Sequence, residues 1–291
     1  MASKAIGLIG ATSLVGDSLL PMLAVGDWQV VAFSRKSKQV GVGNLSWRLF
    51  GASDIYVSPE AEGEQIPFWI SLAPIWVLPN FFALFEACGA RRVVALSSTS
   101  RFSKIDSLNP VERKLARELV EGENKLQQWA EKNGIQWIIL RPTMIYSMWR
   151  DKNISVIARF ITRFGFFPIF GQAHGRRQPI HADDVAATCL SALYAIKADN
   201  RSYNISGGET LSYRELVCRV FAALGRSPRF LSLPLSLFRV ALAFLRCLPS
   251  YRHWTLAMVD RMNRDLVFDH SEAVADLQYQ PKMFRLPTNS S

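Results

Sequence analysis

An apolar run, Ala5 to Ile9, stops in Gly10-Ala11-Thr12-Ser13-Leu14-Val15-Gly16 and resumes as a helical pattern of apolar residues, Leu19 to Leu23. A strand that ends in glycines and restarts as a helix aims free backbone N–H groups and a positive helix end at one spot. That arrangement suits a dinucleotide pyrophosphate. The usual pattern has a middle glycine where this chain has Ser13, a small residue. An ordinary strand-to-helix turn is the bland alternative. A chain that begins this way is expected to be α/β, a doubly wound parallel sheet wrapped by helices.

A second strand, Trp28 to Phe33, ends at Ser34-Arg35-Lys36-Ser37-Lys38, where a dinucleotide fold reads the adenosine ribose. No Asp or Glu occurs between Asp27 and Asp54. An acidic residue there would bind the ribose 2′-OH of NAD. Arg35, backed by Lys36 and Lys38, instead favours the 2′-phosphate of NADP(H) over NAD(H). A solvated basic loop is the competing reading.

Beyond this point short apolar runs alternate with helical patterns. A less regular segment runs through Ser58, followed by a strand from Phe68 to Leu72 and a helix from Pro79 to Gly89. Next come a strand, Arg92-Val93-Val94-Ala95-Leu96, a long polar helix from about Pro110 to Asn133, and a strand, Gln136 to Leu140. Apolar runs without alternation read as central strands buried on both faces.

With 291 residues, 49% of them hydrophobic and 20% charged, the chain can bury a large core as one big domain or two small ones. The net charge of +10 suggests anionic ligands or surfaces. The basic residues are scattered rather than gathered into a stripe with stacking aromatics, so a nucleotide ligand is expected and a nucleic-acid partner is not. Cys88, Cys189, Cys218 and Cys247 lack paired spacing, and His174, His181, His253 and His270 form no ligand cluster. Neither disulfides nor a metal site is expected, and the compartment reads as the reducing cytoplasm. The N-terminus has no basic leader and no small-residue cleavage pattern, so it does not read as a signal peptide. Leu231 to Leu248 is apolar but broken by Pro234, Arg239 and Arg246, which disfavours a spanning helix. It reads as an amphipathic helix packed on the protein, with peripheral contact to the inner face of a membrane as the alternative.

The turn Gly-Ala-Thr-x-x-x-Gly, the strand end Ser97-Ser98-Thr99-Ser100, the segment Leu140-Arg141-Pro142-Thr143-Met144-Ile145-Tyr146, and Gln178-Pro179-Ile180-His181-Ala182-Asp183-Asp184-Val185-Ala186 occur in one order. Tyr203-Asn204-Ile205-Ser206-Gly207-Gly208 and a tail with Asp269, Ala273, Leu277 and Tyr279-Gln280-Pro281 follow. Together they resemble an extended short-chain dehydrogenase/reductase of the NAD-dependent epimerase/dehydratase kind. The resemblance implies a Rossmann core over 1–149 completed by 178–206, and a smaller substrate lobe from 150–177 and 207–291.

It further implies that Gly10, Ala11, Thr12, Ser13, Leu14, Val15 and Gly16 cradle the pyrophosphate, with Ser34, Arg35 and Lys36 by the adenosine ribose. Ala73-Pro74 would lie near the nicotinamide ribose, Ser97 and Ser98 would contact the cofactor, and Pro142-Thr143-Met144-Ile145 would flank the nicotinamide. Thr99 falls where the family places a Ser or Thr on the reacting oxygen, and Arg177 where many members hold a substrate phosphate. Arg150 and Tyr146 lie on the substrate side. Asp183 and Asp184 read as caps of a helix from Val185 to Tyr194.

The family's Tyr-x-x-x-Lys dyad, in which the cation lowers the phenol pKa, does not appear. If Glu123 matches the glutamate that commonly follows the lysine, the dyad positions hold Leu115 and Leu119. In the other register a lysine survives as Lys114, with Pro110 in place of the tyrosine. The chain therefore resembles an atypical member. Two function classes stay open. One is an NADP(H)-dependent oxidoreductase or epimerase-like enzyme using Thr99, Lys114 or Tyr146, with a nucleotide sugar or a lipid-like carbonyl compound as substrate. The other is a catalytically silent protein whose bound cofactor stabilises it or senses redox state. A homodimer is left open as well.

Overall fold

The computed structural model describes residues 4–34, 43–49, 65–147, 150–233 and 256–287. In chain order the first half comprises β1 (Lys4–Ile9), α1 (Leu14–Val25), β2 (Trp28–Ser34), β3 (Leu45–Leu49), β4 (Phe68–Ser71), a 3-10 segment (Ile75–Phe81), α2 (Phe82–Ala87), β5 (Arg92–Leu96), α3 (Ser100–Ser103), α4 (Pro110–Lys132) and β6 (Gln136–Pro142). The second half comprises β7 (Ile145–Tyr146), α5 (Ile154–Phe164), β8 (Phe167–Phe170), β9 (Arg176–Arg177), β10 (Ile180–His181), α6 (Ala182–Ala192), β11 (Arg201–Ile205), β12 (Leu211–Ser212), α7 (Tyr213–Ala223), β13 (Phe230–Leu233), α8 (Leu256–Asn263) and α9 (Ser271–Leu277).

Seven strands form one parallel sheet in the order β11-β6-β5-β4-β1-β2-β3. Its centre is apolar on both sides: every residue of β5 is buried. One face packs Leu19 and Leu23 of α1 with Val185 and Cys189 of α6 and Ala273 and Leu277 of α9. The other packs Trp69, Phe85 and Trp137 with Leu119, Leu126 and Ala130 of α4. This is the expected doubly wound α/β fold. Trp69 lies so close to β1 that a Cβ on Gly7 would meet its ring at 2.3 Å.

A second core gathers α5, α7, β8, Tyr146, Met262 and Phe284. The tail does not belong wholly to this core, because α9 packs back on the large sheet's face. Three local expectations are corrected. The helix from Pro79 begins instead as the 3-10 segment, with the Phe82 N–H on the Pro79 carbonyl. β3 emerges from the segment read as irregular; it is a half-exposed edge strand and so carries little apolar signal. The helix after β10 starts at Ala182, three residues early, capped by His181, whose Nδ1 accepts the Asp183 N–H at 3.2 Å. Asp183 and Asp184 occupy its first turn, as dipole logic favours, but Asp184 instead accepts the Lys282 N–H at 3.0 Å and ties down the tail.

Among the described residues no helix is long and apolar enough to cross a membrane. Arg35, Lys36, Lys38, Trp149, Cys247, His253 and most of Leu231 to Leu248 lie outside the described residues.

Candidate functional site

The chain runs from β1 outward through β2 and β3, then returns to β4 on the other side of β1. Beyond the carboxyl ends of two strands that diverge like this, the loops part and leave a crevice. Here a cleft of about 310 Å³ opens there. It is lined by Ser13, Leu14 and Val15 after β1, Leu72 to Trp76 after β4, Leu96 at the end of β5 with Ser97, Ser98 and Ser100 after it, Pro142 at the end of β6 and Ile145 of β7. Leu115 and Leu119 of α4 close it.

The first wall is the glycine turn. Gly10 has φ +79°, a conformation that L side chains resist, and a Cβ there would sit 2.7 Å from the Ala73 nitrogen. A Cβ on Gly16 would meet the Ala11 carbonyl oxygen at 2.2 Å. Both glycines therefore serve close backbone approach. Ser13 caps α1: its Oγ accepts the Gly16 N–H at 3.1 Å. Leu14 and Val15 open the helix, where the first N–H groups have no intrahelical acceptor, and both face the cleft. Ser13 thus takes the middle glycine's place as a capping residue.

The opposite wall is brought in by α4. Asn109 caps this helix through the Val111 N–H at 2.9 Å, and Pro110 starts it. Gly122 lets it press on the loop after β4, since a Cβ there would lie 2.9 Å from the Ile75 carbonyl carbon and the Trp76 nitrogen. That approach places Leu115 and Leu119, one turn apart, against the cleft. Lys114 points elsewhere, its side chain 77% exposed and 3.7 Å from Glu118. Of the residues named in the two registers, Leu115 and Leu119 line the cleft, and Lys114 lies on the surface.

Glu123 itself is fully buried. It accepts the Ser97 hydroxyl at 2.5 Å and two hydrogen bonds from Arg141 Nε, both 3.1 Å, plus one from Arg141 Nη2 at 2.6 Å; Arg101 also pairs with it. The guanidinium carbons of Arg101 and Arg141 lie 5.1 and 5.5 Å from the Phe102 ring centroid. This network neutralises the carboxylate and spends the proton of Ser97. Ser97 therefore offers lone pairs to the cleft. Ser98 is its complement: Oγ accepts the Ser100 N–H at 3.1 Å, leaving its own proton to donate.

Several expected site residues have other partners. Thr99 is buried, and its hydroxyl donates to the Pro142 carbonyl at 3.2 Å, so Ser97, Ser98 and Ser100 face the cleft in its stead. Thr143 turns away to donate to the Gln178 carbonyl at 2.5 Å, and Met144 packs with the second core. Tyr146 lies in that core, edge-on to His181 and Phe284, its oxygen accepting the Arg285 N–H at 3.3 Å. Burial pushes its phenol pKa up. Arg177 is buried too. Its guanidinium donates to the carbonyls of Arg176 at 2.8 Å, Arg264 at 2.7 Å and Arg261, so it braces α8 and the chain beyond and is not free for a phosphate. Arg150 pairs with Asp17 at 2.8 Å on the surface. Ala73, Pro74, Pro142 and Ile145 line the cleft; Ser34 ends β2, and Gly10, Ala11 and Thr12 form the turn behind Ser13. Sequence reading missed Ile75 and Trp76, whose only signal is their place just after Ala73-Pro74.

The cleft is therefore a helix N-terminus and four serines set in an apolar wall, with no charged side chain among the described residues that line it. Residues 80–206 match the family model described as the NAD dependent epimerase/dehydratase family. An NAD(P)H azoreductase of Xenophilus azovorans is 30% identical over 115 residues, covering 39% of this chain and 37% of that protein. The mitochondrial NADH dehydrogenase [ubiquinone] 1 alpha subcomplex subunit 9 of Arabidopsis thaliana is 28% identical over 158 residues, 49% of this chain and 38% of that protein. The chain spans half or less of the length of the curated relatives it matches. In fold it is similar to the UDP-N-acetylglucosamine 4-epimerase of Bacillus cereus, with TM-score 0.69 and 16% identity over 96% of this chain and 91% of that one.

Proposed function

We propose that this chain, epimerase/dehydratase-like by its match over residues 80–206, binds a nicotinamide dinucleotide in the cleft and reduces an uncharged, largely apolar acceptor. The turn fits the cofactor: Gly10 admits no Cβ, and Leu14 and Val15 offer helix-start N–H groups to a pyrophosphate. Ala73, Pro74, Pro142 and Ile145 would flank the nicotinamide, which when bound supplies a hydride. NADP(H) is the preferred form on the strength of Arg35 and Lys36 in the sequence.

The observation that carries the reading is the pair Leu115 and Leu119 in the cleft wall. Oxidation of a sugar hydroxyl needs a group to take its proton, and a positioned base contributes about 10² to 10⁴-fold in rate. Two leucines provide none, while Glu123 is held by two arginines. They exclude water instead. Reduction of an activated acceptor is less demanding, and the Ser98 hydroxyl, whose proton is not spent on Ser100, would hydrogen-bond the oxygen or nitrogen on which charge develops. The buried, saturated Glu123 network also favours a second reading, in which the cofactor is bound and not turned over.

The test is an NADPH-consumption screen with quinones and azo dyes beside UDP-sugar epimerisation. The expected result is reduction of uncharged acceptors, lowered in Ser98→Ala, with no epimerisation. Fast epimerisation would overturn the reading, and tight cofactor binding with no turnover would select the silent one.

A further inference from the structure

Trp76 is the one aromatic side chain among the described residues that line the cleft. The backbone that carries it is fixed on two sides. Within the 3-10 segment the Val77 N–H donates to the Pro74 carbonyl at 2.9 Å, and Pro74 and Pro79 restrict the chain before and after the indole. From outside, Gly122 brings α4 so near that a Cβ on it would lie 2.9 Å from the Trp76 backbone nitrogen. Leu115 and Leu119 of that helix line the same cleft. A stiff ring therefore stands beside two aliphatic side chains where the family's dyad would be.

The indole is short of partners. Elsewhere in the fold, the Trp69 ring lies 4.5 Å from that of Phe85 and its Nε1–H donates to the Ile66 carbonyl at 2.8 Å. Trp129 stacks on Phe82 at 4.2 Å and donates to Glu86 at 2.6 Å. Among the described residues Trp76 has neither a ring contact nor an acceptor for its Nε1–H, and it is 37% exposed. An indole face favours a second π system, offset-stacked or edge-on, beyond what burial of its area alone gives. The cleft holds no such group of its own, since its other described lining residues are aliphatic, proline or serine. The proposed function sets the nicotinamide among Ala73, Pro74, Pro142 and Ile145, which leaves the indole for the acceptor.

We infer that Trp76 is a specificity-determining residue, a platform on which a planar conjugated acceptor such as a fused-ring quinone stacks beside Leu115 and Leu119. The inference rests on the proposed function for the acceptor's place. It adds the acceptor's shape: flat and conjugated, with open-chain carbonyl compounds bound less well.

The experiment is calorimetric titration of menadione, a flat fused-ring quinone, and of nonanone, an unbranched ketone, into the full chain saturated with NADP+, which has no hydride to give. Wild type, Trp76→Phe and Trp76→Leu are compared, and circular dichroism checks that the variants fold. The wild type is expected to bind menadione more tightly than nonanone. Trp76→Leu should weaken menadione about threefold to tenfold and leave nonanone unchanged, while Trp76→Phe, which keeps a ring, should retain most of the menadione affinity. Menadione binding unchanged in folded Trp76→Leu would overturn the platform. So would equal losses for the two probes, or a matching loss for NADP+, since the indole would then be plain apolar wall or serve the cofactor. Nonanone bound as tightly as menadione by the wild type would overturn it without any variant. Titration of NADP+ alone reads the proposed function separately: NADP+ bound with menadione refused sinks the platform only, whereas menadione bound through Trp76 without NADP+ binding sinks the cofactor site and leaves the platform standing.

Discussion

Glu123 is the residue whose environment is most demanding: a carboxylate with no exposed surface, held by Arg141, Arg101 and Ser97. The charge is tolerable in the interior only because its partners match it, and removing one member of such a cluster leaves the rest uncompensated. Glu123→Gln should therefore destabilise the fold by ~3 kcal/mol, read as a lower urea midpoint at unchanged slope. A loss below ~1 kcal/mol would mean that the two arginines reach water in the folded state. Arg177 is likewise held by its partners. An arginine beside Pro179-Ile180-His181 reads as a phosphate ligand in sequence, but its three carbonyl acceptors come from residues 176, 261 and 264. Two of these lie more than eighty residues away, where no local pattern reaches.

At the scale of elements, α1 and α4 make the site. α1 begins where the glycine turn says it does, and Ser13 keeps the geometry through its Oγ. Ser13→Ala should cost about 1 kcal/mol of stability and Ser13→Gly only a few tenths, measured by thermal unfolding. Equal losses would mean that the side chain serves something other than the cap. The helix α4 was legible because its buried residues Ala116, Leu119, Leu126 and Ala130 keep the helical period and Asn109-Pro110 is a start signal. Which of its residues faces the cleft was not legible. Leu115 and Lys114 are neighbours in sequence, and it is Gly122 pressing against Ile75 and Trp76 that turns Leu115 and Leu119, not Lys114, to the cleft. The edge strand β3 and the 3-10 segment were lost for a related reason: half-buried or proline-interrupted elements take their form from what they pack on.

For the whole molecule, the order of the seven strands places the cleft. Loops after β1, β4, β5 and β6 converge there because the chain changes direction at β1, and their residues were largely foreseen from the turn and the strand ends. The places of Tyr146, Arg150 and Arg177 were less visible, since each is set by a partner far along the chain: the Arg285 N–H, Asp17 of α1, and the carbonyls of residues 261 and 264. The central claim is that the cleft holds a nicotinamide dinucleotide. Calorimetric titration of NADPH and NADH into the wild type, Ala73→Phe and Arg35→Ala tests it most directly. One site per chain is expected, tighter for NADPH. Ala73→Phe, which fills the cleft beside Gly10, should abolish binding of both. Arg35→Ala should weaken NADPH about tenfold, the loss of charge-assisted hydrogen bonds worth about 1.5 to 3 kcal/mol, and leave NADH nearly unchanged. Failure of both dinucleotides to bind the wild type, or undiminished binding by folded Ala73→Phe, would contradict it.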